Sequence, residues 1–537
     1  MKSLFALFSL FSTFRFALAA TAEQWRSRSV YQIITDRYAL PSGSDLTKCD
    51  PGQQTWCGGT WKTIRQNLDY IQNAGFTAIW ISPVNQNYQG PRTPYGDPYH
   101  GYWIADATQL NTRFGSSDDL KALSAELHRR NMYLMVDVVV NNVMATSTSP
   151  DYSTYMFKDA SFYHPYCPVQ FGNTTSEQNC WLGDQKVPLP DLDTTNPTVK
   201  ERYGQWIANL VQEYKFDGLR IDAAKHVQMD FWPEFCAKAG VFCIGEVFGG
   251  SDVEPIAKYQ GPQALDAVLN FPMYSALTEA FVIPGPLNMS AVVDVFKKSK
   301  SSFKDMGLLG NFLENQDLPR WHNKSVDPQS LHNAMVLNFM MDGIPIVYYG
   351  QEHGFSGSAD PFNREPLWPS GYARSEIYNF TATINKFRNF LINSTDWLHQ
   401  ETQIITTTNH SIALVKGSVI TVATNIGSPP QNGTHISVTT PFPASSATMN
   451  ILTCQQWVVG AKGTIEVEYT RGGAPVILFP AEMLIGSGLC GDVLDAHSAS
   501  HSHHLSAATR SITSPFLNGG MTVVLSLLLL FLLSGCA

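Results

Sequence analysis

The sequence predicts an α/β fold: an eight-stranded (β/α)8 TIM barrel, an inserted domain after its third strand, and a C-terminal antiparallel β-sandwich domain. Three observations predict it. Apolar, β-branched runs alternate with amphipathic stretches through the first 400 residues; one connection between them is unusually long; and beyond residue 400 the pattern shortens to alternating apolar and polar positions. The eight runs, 29–36, 76–82, 133–141, 216–222, 241–246, 267–270, 308–315 and 344–350, each end in polar residues. A parallel barrel carries its chemistry where the strands end, so those polar ends are the place to look for it. Two intervening helices can be read directly. Ser117 opens SDDLKALSAELHRR, with acids in the first turn and arginines in the last, and Pro328 opens PQSLHNAMVLNFMM. An open doubly wound sheet shares the alternation, but no GxGxxG or phosphate-loop signature accompanies it.

The barrel is assigned residues 21–141 and 197–400. The connection at 142–196, rich in Ser, Thr, Tyr and Pro, forms the inserted domain, and a loop of that length is expected to belong to a functional site. Residues 401–490, with SIALVKGSVITVATNI and GTIEVEYTRGGAPVILF, read as strands joined by Gly/Asn turns. Residues 1–20 read as a secretory signal peptide ending in small residues. Residues 491–506 form a Ser/His-rich linker. The segment 507–537, with its spacer and short apolar tail, reads as a GPI-attachment propeptide cut after Ser506. The expected location is therefore the extracellular face of the cell membrane, held by a GPI lipid, or the cell wall.

Composition agrees with secretion. The net charge of −9 comes without a Lys/Arg run, which argues against nucleic acid as a partner, and aromatics at 12% against 15% charged residues suit a neutral ligand such as sugar. Of nine cysteines, Cys536 departs with the tail; sequence neighbours suggest Cys49–Cys57, Cys167–Cys180 and Cys454–Cys490, leaving Cys236 and Cys243 to pair or stay free. Sequons stand at Asn173, Asn288, Asn323, Asn379, Asn393, Asn409 and Asn432. A monomer is expected.

Three acids carry the functional reading: Asp222 closing GLRID, Glu246 in FCIGEVF and Asp317 in FLENQD. Acids beside buried strands are costly unless paired or chemically used. A pair of carboxyl groups flanking a bond is what glycoside cleavage requires.

With these motifs in view, the chain resembles the α-amylase family of glycoside hydrolases (family 13) over about residues 21–490. YGDPYHGYW, DVVVNN, LPDLDTT, GLRIDAAKH, GEVF, FLENQD and DPFNRE occur in the family's order. The resemblance implies Asp222 as nucleophile, kept ionised by Arg220; Glu246 as a partly desolvated general acid and base; and Asp317 as the acid that holds sugar hydroxyls. It implies stacking by Tyr102 and Trp103, hydroxyl contacts from His100, Asp360 and Arg364, and an acceptor side lined by Lys225 and His226. It also implies Ca2+ held by Asn141, Asp191 and main-chain oxygens near Gln178 and at His226.

Two family histidines are replaced here, by Asn142 and Gln316, which keep an N–H donor but cannot become cationic. Hydrolysis is expected to slow by roughly one to three powers of ten. With the GPI signal, these replacements resemble fungal membrane-anchored members, some of them 4-α-glucanotransferases of cell-wall α-glucan metabolism. Three readings follow: a glucanotransferase acting on maltooligosaccharides or starch-like α-1,4-glucan, an anchored α-amylase, or an inactive glucan-binding wall protein.

Overall fold

The computed structural model describes residues 20–430 and 433–491. The signal segment up to residue 19, Asn432, Ser506 and the proposed linker and tail from 492 onward lie outside the described residues. Residues up to Leu489 form one compact unit, and a second begins at Cys490.

Eight parallel strands form the barrel: β1 (Val30–Ile33), β2 (Ala78–Ile81), β3 (Tyr133–Val138), β4 (Gly218–Ile221), β5 (Phe242–Gly245), β6 (Ala267–Val268), β7 (Gly310–Asn311) and β8 (Ile344–Tyr348). Their order is β6-β5-β4-β3-β2-β1-β8-β7. A parallel bridge between Leu269 and Gly310, with the Asn270 N–H donating to the Gly310 carbonyl at 2.8 Å, joins the two outer strands and closes the ring. Their residues are buried almost throughout, which is why the runs read as continuous apolar stretches rather than alternating ones.

Several strands are shorter than their apolar runs. The expected strand 29–36 stops at Ile33 because Thr35–Tyr38 turns into a short helix, buried as a unit, in which Arg37 pairs with Asp36 at 2.8 Å. The run 267–270 ends early because Asn270 caps the next helix, accepting the Met273 N–H at 3.2 Å. The run 308–315 keeps only Gly310–Asn311 in the ladder, and its remainder turns into the mouth.

Five helices matter below: α1 (Ser117–Arg129), α2 (Pro197–Tyr214), α3 (Trp232–Ala239), α4 (Phe271–Phe281) and α5 (Pro328–Met340). α1 begins in a capping box between Ser116 and Asp119, as its acidic first turn suggests. α5 is buried on every side from Ser330 to Met340, because the C-terminal domain covers the face that a barrel helix would show to water. There Asn333 donates to the Gly473 carbonyl at 2.7 Å and accepts the Thr424 N–H at 2.8 Å.

The C-terminal domain has a six-stranded antiparallel sheet and a two-stranded one, Gln403–Thr407 to Val476–Pro480 in sequence. Ile436, Val438, Ile465 and Val467 of the small sheet pack with Ile420, Val422 and Leu478 of the large one.

Candidate active site

The mouth of the barrel is assembled by the segments that follow β3, β4, β5 and β7. Side chains alternate along a strand, so Arg220 on β4 and Asp222 just beyond it share the inward face. In the β3–β4 ladder Arg220 stands opposite Asp137. Its Nη1 donates to Asp137 Oδ1 and to Asp222 Oδ1, both at 2.8 Å, while its Nη2 lies 2.9 Å from Glu246 Oε2. One guanidinium therefore ties together three carboxylates from three strands. Glu246 also accepts the Ala223 N–H at 2.9 Å. Ala223 reaches it only from a left-handed conformation (φ 48°), strain that an alanine adopts at a cost of about 1–2 kcal/mol.

Asp317 stands across the mouth. Its Oδ1 lies 3.3 Å from Arg364 Nη2, and Arg364 also pairs with Asp360 at 2.9 Å and donates to the Gln316 carbonyl at 3.1 Å. Asn315 fixes the turn by accepting the Asp317 N–H at 2.9 Å.

Burial pushes the Asp222 carboxyl well above its ordinary range; Arg220 opposes this, and Glu246, Asp137 and Asp317 add to it. The expected Arg220–Asp222 pair is present at 2.8 Å, and its cation, shared among three acids, favours the ionised form of each against the desolvation. Burial likewise raises Asp137 to about 6 against the pull of Arg220. Asp317, open to the cleft but ringed by protein, is raised to about 6 by desolvation, with Arg364 opposing. Glu246 is buried, with 9% of its surface exposed. Such a cluster holds a proton more readily than isolated carboxylates would, and glycoside cleavage needs one acid in its protonated form.

Around this core, His100 Nδ1 accepts the Tyr102 N–H at 3.0 Å, which leaves Nε2 as the donor. Burial, followed by Arg364 and Arg37, holds this ring neutral by lowering it well below the usual histidine range. His100 stacks on Tyr102 and meets Trp103 edge to face. Tyr102 is anchored from below, its hydroxyl donating to Asp137 at 2.8 Å, and Trp80 Nε1 donates to the same carboxylate at 3.2 Å.

The inserted segment contributes the opposite wall. Lys225 pairs with Glu177 at 3.1 Å, and His226 Nδ1 donates to the Glu177 carbonyl at 2.8 Å. Burial lowers His226 below its ordinary value. Phe171 is 70% exposed beside them, its ring 6.2 Å from His226 and 5.9 Å from the Lys225 ammonium. Phe248, two residues past Glu246, is 49% exposed and rests on Phe271. Asn142 and Gln316 are both buried. Gln316 accepts from Gln32 Nε2 at 2.6 Å and Asn142 accepts from Asn141 Nδ2 at 3.3 Å, so each keeps its own N–H2 group as a donor.

Disulfides join Cys49 to Cys57 and Cys167 to Cys180, the second clipping the inserted segment; Cys454 and Cys490 are also disulfide-bonded. The six described sequon asparagines, Asn173, Asn288, Asn323, Asn379, Asn393 and Asn409, are all exposed.

The calcium expectation can be tested on Asp191. It is buried, its Oδ2 lies 2.7 Å from His164 Nδ1, and its Oδ1 has no hydrogen-bond partner. Burial raises it to about 7. A bridge to Asn142 and the Leu192 N–H, which donates to the Asn141 carbonyl, bring the expected amide and carboxylate donors onto adjoining backbone. An orphaned, desolvated carboxylate oxygen beside amide oxygens suits a hard cation. Among the described residues no three His, Cys, Asp or Glu side chains converge on a metal position, so such a site rests on main-chain and amide oxygens as well.

Asp137, Trp80, Phe171 and Phe248 belong to this constellation and were not singled out by sequence. Asp137 left a signal, a lone acid inside the apolar run YLMVDVVV. A cavity of about 700 Å³ bordered by Arg202, Trp206 and Tyr214 contains none of these residues, so the carboxylates rather than that hollow mark the chemistry.

The catalytic domain of α-amylases matches this chain over residues 32–421, and α-amylase domain C matches over 404–498. Alpha-amylase 2 of Schwanniomyces occidentalis is 40% identical over 501 residues, which span 91% of this chain and 97% of that protein. Alpha-amylase 1 of Lipomyces kononenkoae is 44% identical over 482 residues, 88% of this chain and 76% of the other. The solved structure of an α-amylase from Malbranchea cinnamomea superimposes with a TM-score of 0.83 at 40% identity, covering 88% of this chain and 100% of that one.

Proposed function

The chain belongs to the α-amylase family of glycoside hydrolases, and from that premise we propose that it is a retaining enzyme of α-1,4-glucan that chiefly transfers maltooligosaccharide segments at the fungal cell surface. The observation that carries the retaining chemistry is the sharing of Arg220 by Asp222 and Glu246. One guanidinium spans two carboxylates only if they lie a few Å apart, which suits the roughly 5 Å spacing of a retaining pair.

Asp222 attacks the anomeric carbon while Glu246 gives its proton to the departing glycosidic oxygen; one C–O bond breaks and a glycosyl ester forms. Negative charge then leaves Asp222 and appears on Glu246. Arg220 touches both, so the charge moves within the reach of a single cation that need not reorganise. Glu246 next takes the proton of an incoming hydroxyl, which releases the sugar from Asp222. Asp317, Arg364 and the His100 Nε2–H bind sugar hydroxyls, and Tyr102 and Trp103 offer ring faces.

Whether water or sugar attacks the ester is decided on the acceptor side. Lys225 and His226 stand there with the exposed ring of Phe171, an apolar face that favours a sugar over water. Asn142 and Gln316, uncharged where the family resemblance implies histidine, weaken hydrolysis without removing any of the three acids. The curated relatives above are named α-amylases, which supports the second reading, an anchored hydrolase. The signal peptide, the GPI site at Ser506 and a monomeric state belong to the same proposal.

Members of this family typically bind calcium. Asn141, Asp191 and the main-chain oxygens of Gln178 and His226 would hold it, and the ion would supply a cross-link between the inserted segment and the barrel. Incubation of the secreted protein with maltopentaose tests the reading: longer oligosaccharides are expected early, and a product set containing only shorter sugars establishes the hydrolase instead.

A further inference from the structure

Two thiols lie behind the strand that delivers Glu246, and none of the chemistry above uses them. Cys236 is on α3 and Cys243 on β5, three residues before Glu246; Gly240, at φ 66°, turns the chain back so that helix and strand adjoin. The Gly240 N–H donates to the Cys236 carbonyl at 2.9 Å, and Asp266 accepts the Cys243 N–H at 2.9 Å. Cys236 and Asp266 are the ionisable side chains that act on the Cys243 thiol, Cys236 the more strongly, and Cys236 and Asp266 line the same hollow. Cys243 is buried, whereas Cys236 is partly exposed and lines, with Gly240, Phe242 and Asp266, a cavity of about 580 Å³. The other described cysteines, Cys49, Cys57, Cys167, Cys180, Cys454 and Cys490, are all disulfide-bonded.

We propose that Cys236 and Cys243 form a thiol–disulfide exchange site, closed into an intrachain bridge by a small organic disulfide that enters this cavity. Cys236 attacks one sulfur of the incoming RSSR, forms Cys236–S–S–R and releases the first RSH with the thiol's proton. Cys243 then attacks the Cys236 sulfur, expels the second RS group, and its own proton completes the second RSH. Two cysteine thiols are oxidised by two electrons, and one disulfide is reduced to two thiols. Burial holds the Cys243 thiol well above its usual range, which makes the second step the slow one. The bridge ties α3 to β5 and so stiffens the support of Glu246.

Gently reduced full-length protein treated with glutathione disulfide, then denatured, alkylated and analysed by peptide mass, tests this. The parent is expected to lose two hydrogens from the peptide holding both cysteines and to resist alkylation there. Cys243→Ala is expected to stop at the glutathione adduct on Cys236, and Cys236→Ala to remain unmodified at Cys243. A bridge already present in the isolated chain is opened by the reductant first, and its failure to re-form with glutathione disulfide overturns the proposal. Full alkylation of both thiols in the treated parent, or equal adduct formation in the two variants, overturns it.

Discussion

Around Arg220 the barrel mouth draws Asp137, Asp222 and Glu246 within hydrogen-bond distance of one buried cation, whereas the C-terminal domain fills its interior with Ile420, Val422, Ile436, Val438, Val467 and Leu478. The aliphatic core needs only area and shape, worth about 25 cal/mol per Å² of apolar surface removed from water. The mouth works against that rule, because each desolvated carboxylate costs stability that its partners only partly return. Crowded charge marks the region shaped by reaction, and aliphatic packing marks the region shaped by folding.

The largest expected effect separates the two regions by activity. Asp222→Asn should lower kcat by about 10⁴ or more, as loss of a covalent nucleophile does, while the melting temperature holds or rises because a crowded acid has gone. A marked fall in melting temperature would break the contrast by making Asp222 structural. Arg220→Gln removes the shared cation and leaves three acids without it; a loss of about 3–5 kcal/mol in denaturant unfolding is expected together with loss of turnover. In the other region, Leu478→Ala should cost about 2–5 kcal/mol through the cavity it leaves, with activity per folded molecule unchanged. A changed product pattern in that variant would show that the two regions are coupled.

The smallest effect sharpens the comparison through pH. Asp137, raised to about 6 from an ordinary value near 4, binds its proton more tightly in the folded chain than in the unfolded one. Its contribution to stability is therefore greatest below about pH 4 and declines as pH rises through 6. Thermal melts of Asp137→Asn and the parent should shift in the variant's favour between pH 4 and pH 7. A constant difference over that range would mean that Arg220 neutralises Asp137 completely.

Much of this was legible in the chain itself. The eight apolar runs and the period-two strands beyond residue 400 dictate the two architectures, since side-chain period and burial follow directly from local residue pattern. Asp222, Glu246 and Asp317 stood out because an acid at the end of an apolar run is rare without a task. Cys49–Cys57 and Cys167–Cys180 were suggested by short separations of 8 and 13 residues. Asp137 was passed over in a run that reads as ordinary strand. Phe171 and Phe248 were missed because a single aromatic carries no mark of exposure.

What the sequence determined by itself, then, is the kind of elements and the identity of the acids, because both are written in neighbouring residues. The three-way sharing of Arg220, the meeting of Phe171 of the inserted segment with His226, and the placing of two thiols on the helix and strand behind Glu246 were settled by the tertiary structure alone. These depend on strand register and on where the chain returns in space, which residues far apart along the chain establish together and no local pattern encodes.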